Sequence, residues 1–112
     1  MSVSVINMEE ALERIGGDRE FLIELLNEFA QQVEENLPVL SKAIDEGDFD
    51  NIKLIAHSLR GAAGNLSLNG MHRSLSEIEA LVSEKENGKM AEILKDVFAQ
   101  KTELQDFLKE EN

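Results

Sequence analysis

The residues best suited to chemistry are a histidine with two cations and two glycines close by, namely Lys53, His57, Arg60, Gly61 and Gly64. Spacings of three and four residues place these positions on one face of an α-helix. Each glycine costs about 1 kcal/mol in a helix interior relative to alanine, so a surface face needs a reason to keep two of them. Because glycine has no side chain, another molecule can come close to the imidazole there, and the two cations favour an anion at this position. The pattern therefore predicts an anionic group carried on a nitrogen nucleophile.

One helix must carry this face. Asp48 is a good N-cap, and the pattern predicts a helix from about residue 49 to 66. The apolar side chains of this segment collect on the side opposite His57 and predict the core face. They are Ile52, Ile55, Leu59, Ala62, Ala63 and Leu66. The ring of His57 should therefore point towards solvent.

The run from His57 to Gly64 resembles the H-x-L-[KR]-G signature of histidine phosphotransfer (HPt) domains. The segment Ile15-Gly16-Gly17-Asp18, followed by Phe21-Leu22 and Leu25-Leu26, looks like the start of such a domain. The resemblance implies a five-helix plan over nearly all of the chain. Ser67 is a departure, because the family usually has a second glycine there for tight packing or close docking.

The other helices are predicted from caps and apolar spacing. Asn7 begins a short helix, with Glu10 completing a capping-box pair, and Gly16-Gly17 ends it. Asp18 caps a second helix that continues to about Glu46, with a kink near residues 34–38 because of Pro38.

The fourth helix is predicted to begin at a cap of Ser67 or Asn69 and to end near Asn87-Gly88, and the fifth runs close to the C-terminus. No period-2 alternation of useful length predicts a strand. We expect an all-α fold, an antiparallel four-helix bundle core with a short additional N-terminal helix. Residues 1–112 are predicted to form a single domain with a loose start over residues 1–6.

Composition excludes several classes of function. A net charge of −12 without a basic run argues against nucleic acid as a partner. The absence of cysteine excludes disulfides and thiol catalysis. No apolar run approaches the roughly 20 residues of a membrane span, and the start lacks the pattern of a signal peptide, so a cytoplasmic location is expected. No glycine-rich nucleotide loop is present, and His57 and His72 do not form a metal-ligand motif.

Each candidate site residue has an expected role. His57 is the phosphoacceptor, and Arg60 and Lys53 are expected to stabilise the phosphoryl group through charge-assisted hydrogen bonds. His72 is expected to be an ordinary surface histidine. The positions expected to meet a docking partner are Gly61, Gly64, Leu54 and Asn65.

The resemblance implies a phosphocarrier and not an enzyme. His57 would take a phosphoryl group from a receiver-domain phosphoaspartate and pass it to the aspartate of another receiver in a multistep phosphorelay. The Mg²⁺ would lie on the receiver, and this chain would bind no cofactor. A hybrid sensor histidine kinase is a further possible partner, and a monomer is expected. The alternatives are the phosphotransfer domain of a hybrid or chemotaxis-type kinase, and a non-phosphorylated helical adaptor that binds a receiver.

Overall fold

The computed structural model describes residues 5–111, and five α-helices account for most of them. The helices are α1 (Met8–Arg14), α2 (Arg19–Glu46), α3 (Phe49–Asn65), α4 (Asn69–Leu81) and α5 (Asn87–Glu111). Within the described range there is no strand. The predicted all-α fold is confirmed.

Helices α2 to α5 form the bundle. α2 and α4 each pack against both α3 and α5, while α1 packs against α2. Because the three turns that join α2 to α3, α3 to α4 and α4 to α5 are short, successive helices of the bundle run antiparallel. The core between them is almost entirely aliphatic, and its fully buried larger side chains come from α2 to α5 and the α3–α4 turn. They are Leu22, Leu26, Leu37, Leu40, Ile44, Ile52, Leu59, Leu68, Met71, Leu75, Ile78 and Met90.

Three predicted N-caps are present. The side chains of Asn7, Asp18 and Asp48 each accept a hydrogen bond from the backbone N–H three residues later. α2 continues through Pro38 as a single helix. It ends at Gly47, whose φ of 67° is in the left-handed region where glycine is unstrained.

The predicted boundaries of α4 are wrong at both ends. The N-cap position is Leu68, which offers no side-chain hydrogen bond, so neither Ser67 nor Asn69 caps the helix. α4 ends at Leu81, and Asn87 begins α5. The Asn87 side chain donates a hydrogen bond to the carbonyl of Ile44 at the end of α2. This long-range contact fixes where α5 starts, and α4 must end earlier to leave room for the turn.

Ser67 lies in the turn between α3 and α4, where it is fully buried with a φ of 59°. A left-handed backbone at this position explains why a glycine would suit it. Its hydroxyl donates to Glu10 Oε1 at 2.8 Å, and its carbonyl accepts from the Asn7 N–H at 3.1 Å. Glu10 therefore bonds to Ser67 and does not complete the predicted capping box with Asn7. Ser67 therefore acts within the fold, where its two hydrogen bonds join the first turn of α1 to the turn between α3 and α4.

The predicted loose start is described only in part. Residues 1–4 lie outside the described residues, whereas Ile6 is buried and Val5 packs against the core.

Candidate functional site

The helix α3 presents His57 on its outer face. The side chain of His57 is 63% exposed, as the apolar pattern predicts. Ile52, Ala56, Leu59 and Ala63 are buried along the inner face, while the predicted core positions Ile55 and Ala62 are only partly buried. Ala56 was not among the predicted core positions, although it is fully buried beside the exposed histidine.

Sequence reasoning missed the nearest acidic group. Glu79 of α4 brings its Oε2 atom to 3.0 Å from Nδ1 of His57. The carboxylate is only 20% exposed, so its contact with the ring is partly shielded from water. A carboxylate accepts a hydrogen bond from Nδ1–H, and this orients the ring and leaves the lone pair on Nε2. Among the described residues, none forms a hydrogen bond with Nε2.

Arg60 belongs to the same cluster. Its Nη2 atom lies 3.1 Å from Nδ1 of His57, and its Nε atom lies 2.9 Å from Oε1 of Glu79. The contact with Glu79 is an ion pair whose Nε–H is not aligned for a hydrogen bond. The guanidinium is therefore held by Glu79 on the Nδ1 side of the imidazole.

The two contacts at Nδ1 exclude each other. Glu79 needs a proton on Nδ1 to accept, whereas Arg60 can donate only to a bare Nδ1. With Nδ1 protonated, the guanidinium keeps its ion pair with Glu79 and Nε2 is the nucleophilic nitrogen. With Nδ1 bare, the proton moves to Nε2 and the outer nitrogen cannot attack. The balance between Glu79 and Arg60 therefore sets which ring nitrogen is reactive.

Lys53 and Leu54 lie one turn before the histidine. Both are exposed, and with Asp50, His57 and Glu79 they line a shallow depression. Leu54 is 68% exposed, which is unusual for a large apolar residue beside charged groups. Lys53 has no ion pair within residues 5–111, so its ammonium is available to an incoming anion. Their expected roles in phosphate binding and docking remain predictions.

The two glycines of α3 differ in their surroundings. A Cβ atom on Gly61 would meet nothing within 4 Å, so the helix surface beside His57 is uncovered at this position. A Cβ on Gly64 would come within 2.9 Å of Nδ1 of His72. Gly64 is therefore not the open docking position that was expected, because the ring of His72 covers it.

His72 itself is half-buried and is not the ordinary surface histidine that was expected. Its Nδ1 atom lies 3.0 Å from the backbone carbonyl of Arg60. Asn65, also expected to meet a partner, is exposed at the last position of α3, two turns beyond His57. A role for it in docking remains a prediction.

A comparison with family models finds a match to the Hpt domain over residues 24–110. Comparisons with curated proteins and with solved structures give no match. The matched segment covers α3 and α4 completely and most of α2 and α5. It therefore includes His57, Arg60 and Glu79. Among the described helices, none is both long enough and apolar enough for a membrane span.

Proposed function

Because the chain belongs to the Hpt domain family, whose members carry phosphoryl groups on a histidine in two-component signalling, we propose that His57 is its phosphoacceptor. The phosphoryl donor is the phosphoaspartate of a receiver domain, and the acceptor is the aspartate of another receiver. The single observation that carries the proposal is the geometry of His57, whose ring is exposed and bonded to Glu79 through Nδ1.

The transfer needs one bond to form and one to break. The Nε2 lone pair attacks phosphorus, the bond between phosphorus and the aspartyl oxygen breaks, and the aspartate leaves as a carboxylate. The Nδ1 proton stays on the ring, where the carboxylate of Glu79 stabilises the positive charge that develops on the imidazole. The same steps in reverse pass the phosphoryl group to the next receiver.

The cations have separate parts in this proposal. Lys53 is exposed, which suits it to meet the phosphoryl oxygens as they arrive. Arg60 must exchange its ion pair with Glu79 for the phosphoryl group before it contacts a group on Nε2. Phosphoryl transfer depends on positioning and concentrated positive charge, commonly with Mg²⁺. We assign the Mg²⁺ to the receiver, so this chain acts as a carrier and supplies the nucleophile.

The docking surface in this proposal surrounds His57. The uncovered helix surface at Gly61 allows a partner's surface to approach the imidazole, and the exposed Leu54 offers an apolar contact beside it. A carrier must exchange partners, which favours a transient contact with rapid dissociation. A receiver domain that presents its phosphoaspartate in a shallow cleft fits this arrangement.

The test is transfer of radiolabelled phosphate from a panel of phosphorylated receiver domains in the presence of Mg²⁺. We expect acid-labile, alkali-stable label on the wild type and none on His57→Gln, which still contains His72. Label that persists on His57→Gln would contradict the assignment. Absence of label on the wild type with every receiver tried, alongside measurable binding, would favour the non-phosphorylated adaptor. Label obtained only from an ATP-loaded kinase would favour the phosphotransfer domain of a kinase.

A further inference from the structure

His72 takes no part in the transfer steps above, yet it connects the two helices of the site. Its Nδ1–H donates to the backbone carbonyl of Arg60 at 3.0 Å, across the interface between α4 and α3. Its ring lies against Gly64, where a Cβ atom would approach Nδ1 to 2.9 Å. Only glycine allows this approach without a shift of the ring, since contacts below 3.0 Å are essentially never made by a Cβ atom.

The contact of His72 with Gly64 is in register with the contact of Glu79 with His57. On α4, His72 and Glu79 are seven residues apart, and on α3, His57 and Gly64 are also seven residues apart. Seven residues make about two turns, so each pair lies on one face of its helix. Because α3 and α4 run antiparallel, the two contacts lie at the same interface, about 10 Å apart along the helix axes.

Within residues 5–111, the polar contacts between α3 and α4 are those of Glu79 with His57 and Arg60 and that of His72 with the Arg60 carbonyl. Ser76 lies between them on α4, but its hydroxyl donates to the carbonyl of His72 in its own helix. α4 also begins without a side-chain cap. Backbone hydrogen bonds from the N–H groups of Ser67 and Leu68 to the carbonyls of Gly64 and Ala63 hold the turn before α4 on α3. Beyond that turn, the contact of His72 is the polar contact that holds the N-terminal half of α4 along α3.

We propose that His72 is a positioning residue for the nucleophile. By docking on Gly64 and on the Arg60 carbonyl, it sets the register of α4 that brings Glu79 onto His57. Glu79 then holds the proton on Nδ1 and leaves Nε2 free. Only the use of Nε2 for phosphoryl transfer rests on the proposed function; the link from His72 to the tautomer of His57 does not.

The test reads the tautomer of His57 directly in the isolated, unphosphorylated protein. Long-range ¹H–¹⁵N correlation spectra distinguish a protonated from a bare ring nitrogen, at a pH where the ring is neutral. In His72→Leu, which keeps apolar bulk and loses the donor, we expect the ratio of Nδ1–H to Nε2–H to fall by about tenfold, equivalent to about 1.4 kcal/mol. His72→Gln, whose amide can donate to the Arg60 carbonyl, should restore most of the ratio.

Two glycine variants separate the register from general destabilisation. Gly64→Ala displaces the His72 ring and should shift the tautomer ratio as His72→Leu does. Gly61→Ala makes the same change one turn earlier on α3, where the methyl group meets nothing, and should leave the ratio unchanged. These variants carry the test by themselves if His72→Leu does not fold.

An unchanged ratio in Gly64→Ala, with a folded spectrum, would overturn the proposal. An equal shift in Gly61→Ala would overturn it as well, because no contact of His72 is touched there. A wild type that takes no label from receivers would refute the proposed function and leave the tautomer result standing, so the two failures are distinguishable.

Discussion

Nδ1 of His57 lies 3.0 Å from Oε2 of Glu79, and this contact joins the middle of α3 to the last turns of α4. The histidine is exposed whereas the carboxylate is mostly covered, so the less mobile partner orients the more mobile one. The helix α4 therefore helps to orient the proposed phosphoacceptor, although every residue of the H-x-L-[KR]-G signature lies on α3.

Glu79→Gln removes the negative charge and keeps the shape of the side chain. A hydrogen bond to a charged group contributes about 1.5–3 kcal/mol, so its replacement by a neutral one should slow phosphoryl transfer to His57 by roughly tenfold. The measurement is the initial rate of labelling by a phosphorylated receiver.

Glu77→Gln is the matched control for this variant, because Glu77 is exposed on the same helix and changes the net charge equally. Its labelling rate should equal that of the wild type. Equal slowing in both variants would show that overall charge governs the rate and that the contact at Nδ1 does not.

The two glycines of α3 should respond to alanine in opposite directions. Gly61→Ala adds a methyl group in open space and should raise the free energy of unfolding by up to about 1 kcal/mol, through helix propensity alone. Gly64→Ala forces the His72 ring to move and should lower stability in spite of the same propensity gain. Urea unfolding followed by circular dichroism measures both changes, and a stabilised Gly64→Ala would contradict the packing of His72.

Gly61→Ala also separates stability from docking. If a receiver approaches over Gly61, the added methyl group should slow transfer in a protein that has become more stable. A transfer rate equal to that of the wild type would remove Gly61 from the docking surface.

Local patterns sufficed for much of this fold, because they depend on neighbouring residues. Asp18 and Gly47 mark both ends of α2, and the apolar spacing of α3 leaves His57 outside. The end of α4 was mispredicted because it depends on Asn87 reaching the carbonyl of Ile44, far away in sequence. No periodic signal records such a contact.

Glu79 was missed for a related reason. Its place opposite His57 depends on the register between α3 and α4. The short turn that contains Ser67 in a left-handed conformation brings the two helices together, and we propose that His72 fixes their register. Several glutamates of the chain could face α3 equally well from sequence alone. The equal spacing of seven residues from His57 to Gly64 and from His72 to Glu79 was a usable signal, but it identifies partners only once the register is known.

Leu54 tests the position of the docking surface. Truncation in Leu54→Ala should weaken binding of a receiver domain by roughly fivefold or more, as for an apolar contact near the centre of an interface. Because the side chain is 68% exposed, the stability of the free protein should hardly change. Isothermal titration calorimetry with a receiver measures the affinity.

The control for Leu54 is Phe21→Ala. Phe21 is also exposed, at 46%, but it lies in the first turn of α2, at the opposite end of this helix from the short turn that leads into α3. Its loss should leave receiver affinity unchanged. Equal weakening in both variants would place the docking surface elsewhere.

Ser67 should show two opposing effects. Ser67→Ala loses the hydrogen bond to Glu10 and keeps a left-handed backbone that costs a non-glycine residue about 1–2 kcal/mol. Ser67→Gly loses the same bond but relieves the backbone. Denaturant unfolding should therefore rank the glycine variant above the alanine variant by about 1 kcal/mol, and the reverse order would contradict the role of the positive φ.

The contact between α2 and α5 gives a prediction for pH. Lys101 Nζ lies 3.0 Å from Oε2 of Glu34, and Gln105 donates to the same oxygen at 2.8 Å. The hydrogen bond from Lys101, then that from Gln105, and the charge of Lys101 hold the pKa of Glu34 below its ordinary value of 4.5. A lowered pKa in the folded state means that the carboxylate stabilises the fold above the unfolded pKa and loses this contribution as the pH falls through the folded pKa.

Glu34→Gln should therefore lower stability relative to the wild type at pH 7, and the difference should shrink as the pH falls below 4.5. The measurement is the free energy of unfolding in urea for both proteins across this range. Glu35→Gln is the matched control, since Glu35 follows Glu34 in the sequence. Among the described residues, its side chain pairs only with Gln31 of its own helix. Because Gln105 can still bond to a neutral amide, the difference reflects chiefly the charge on Glu34 beside Lys101. A difference that stays constant with pH would show that this charge does not stabilise the contact between α2 and α5.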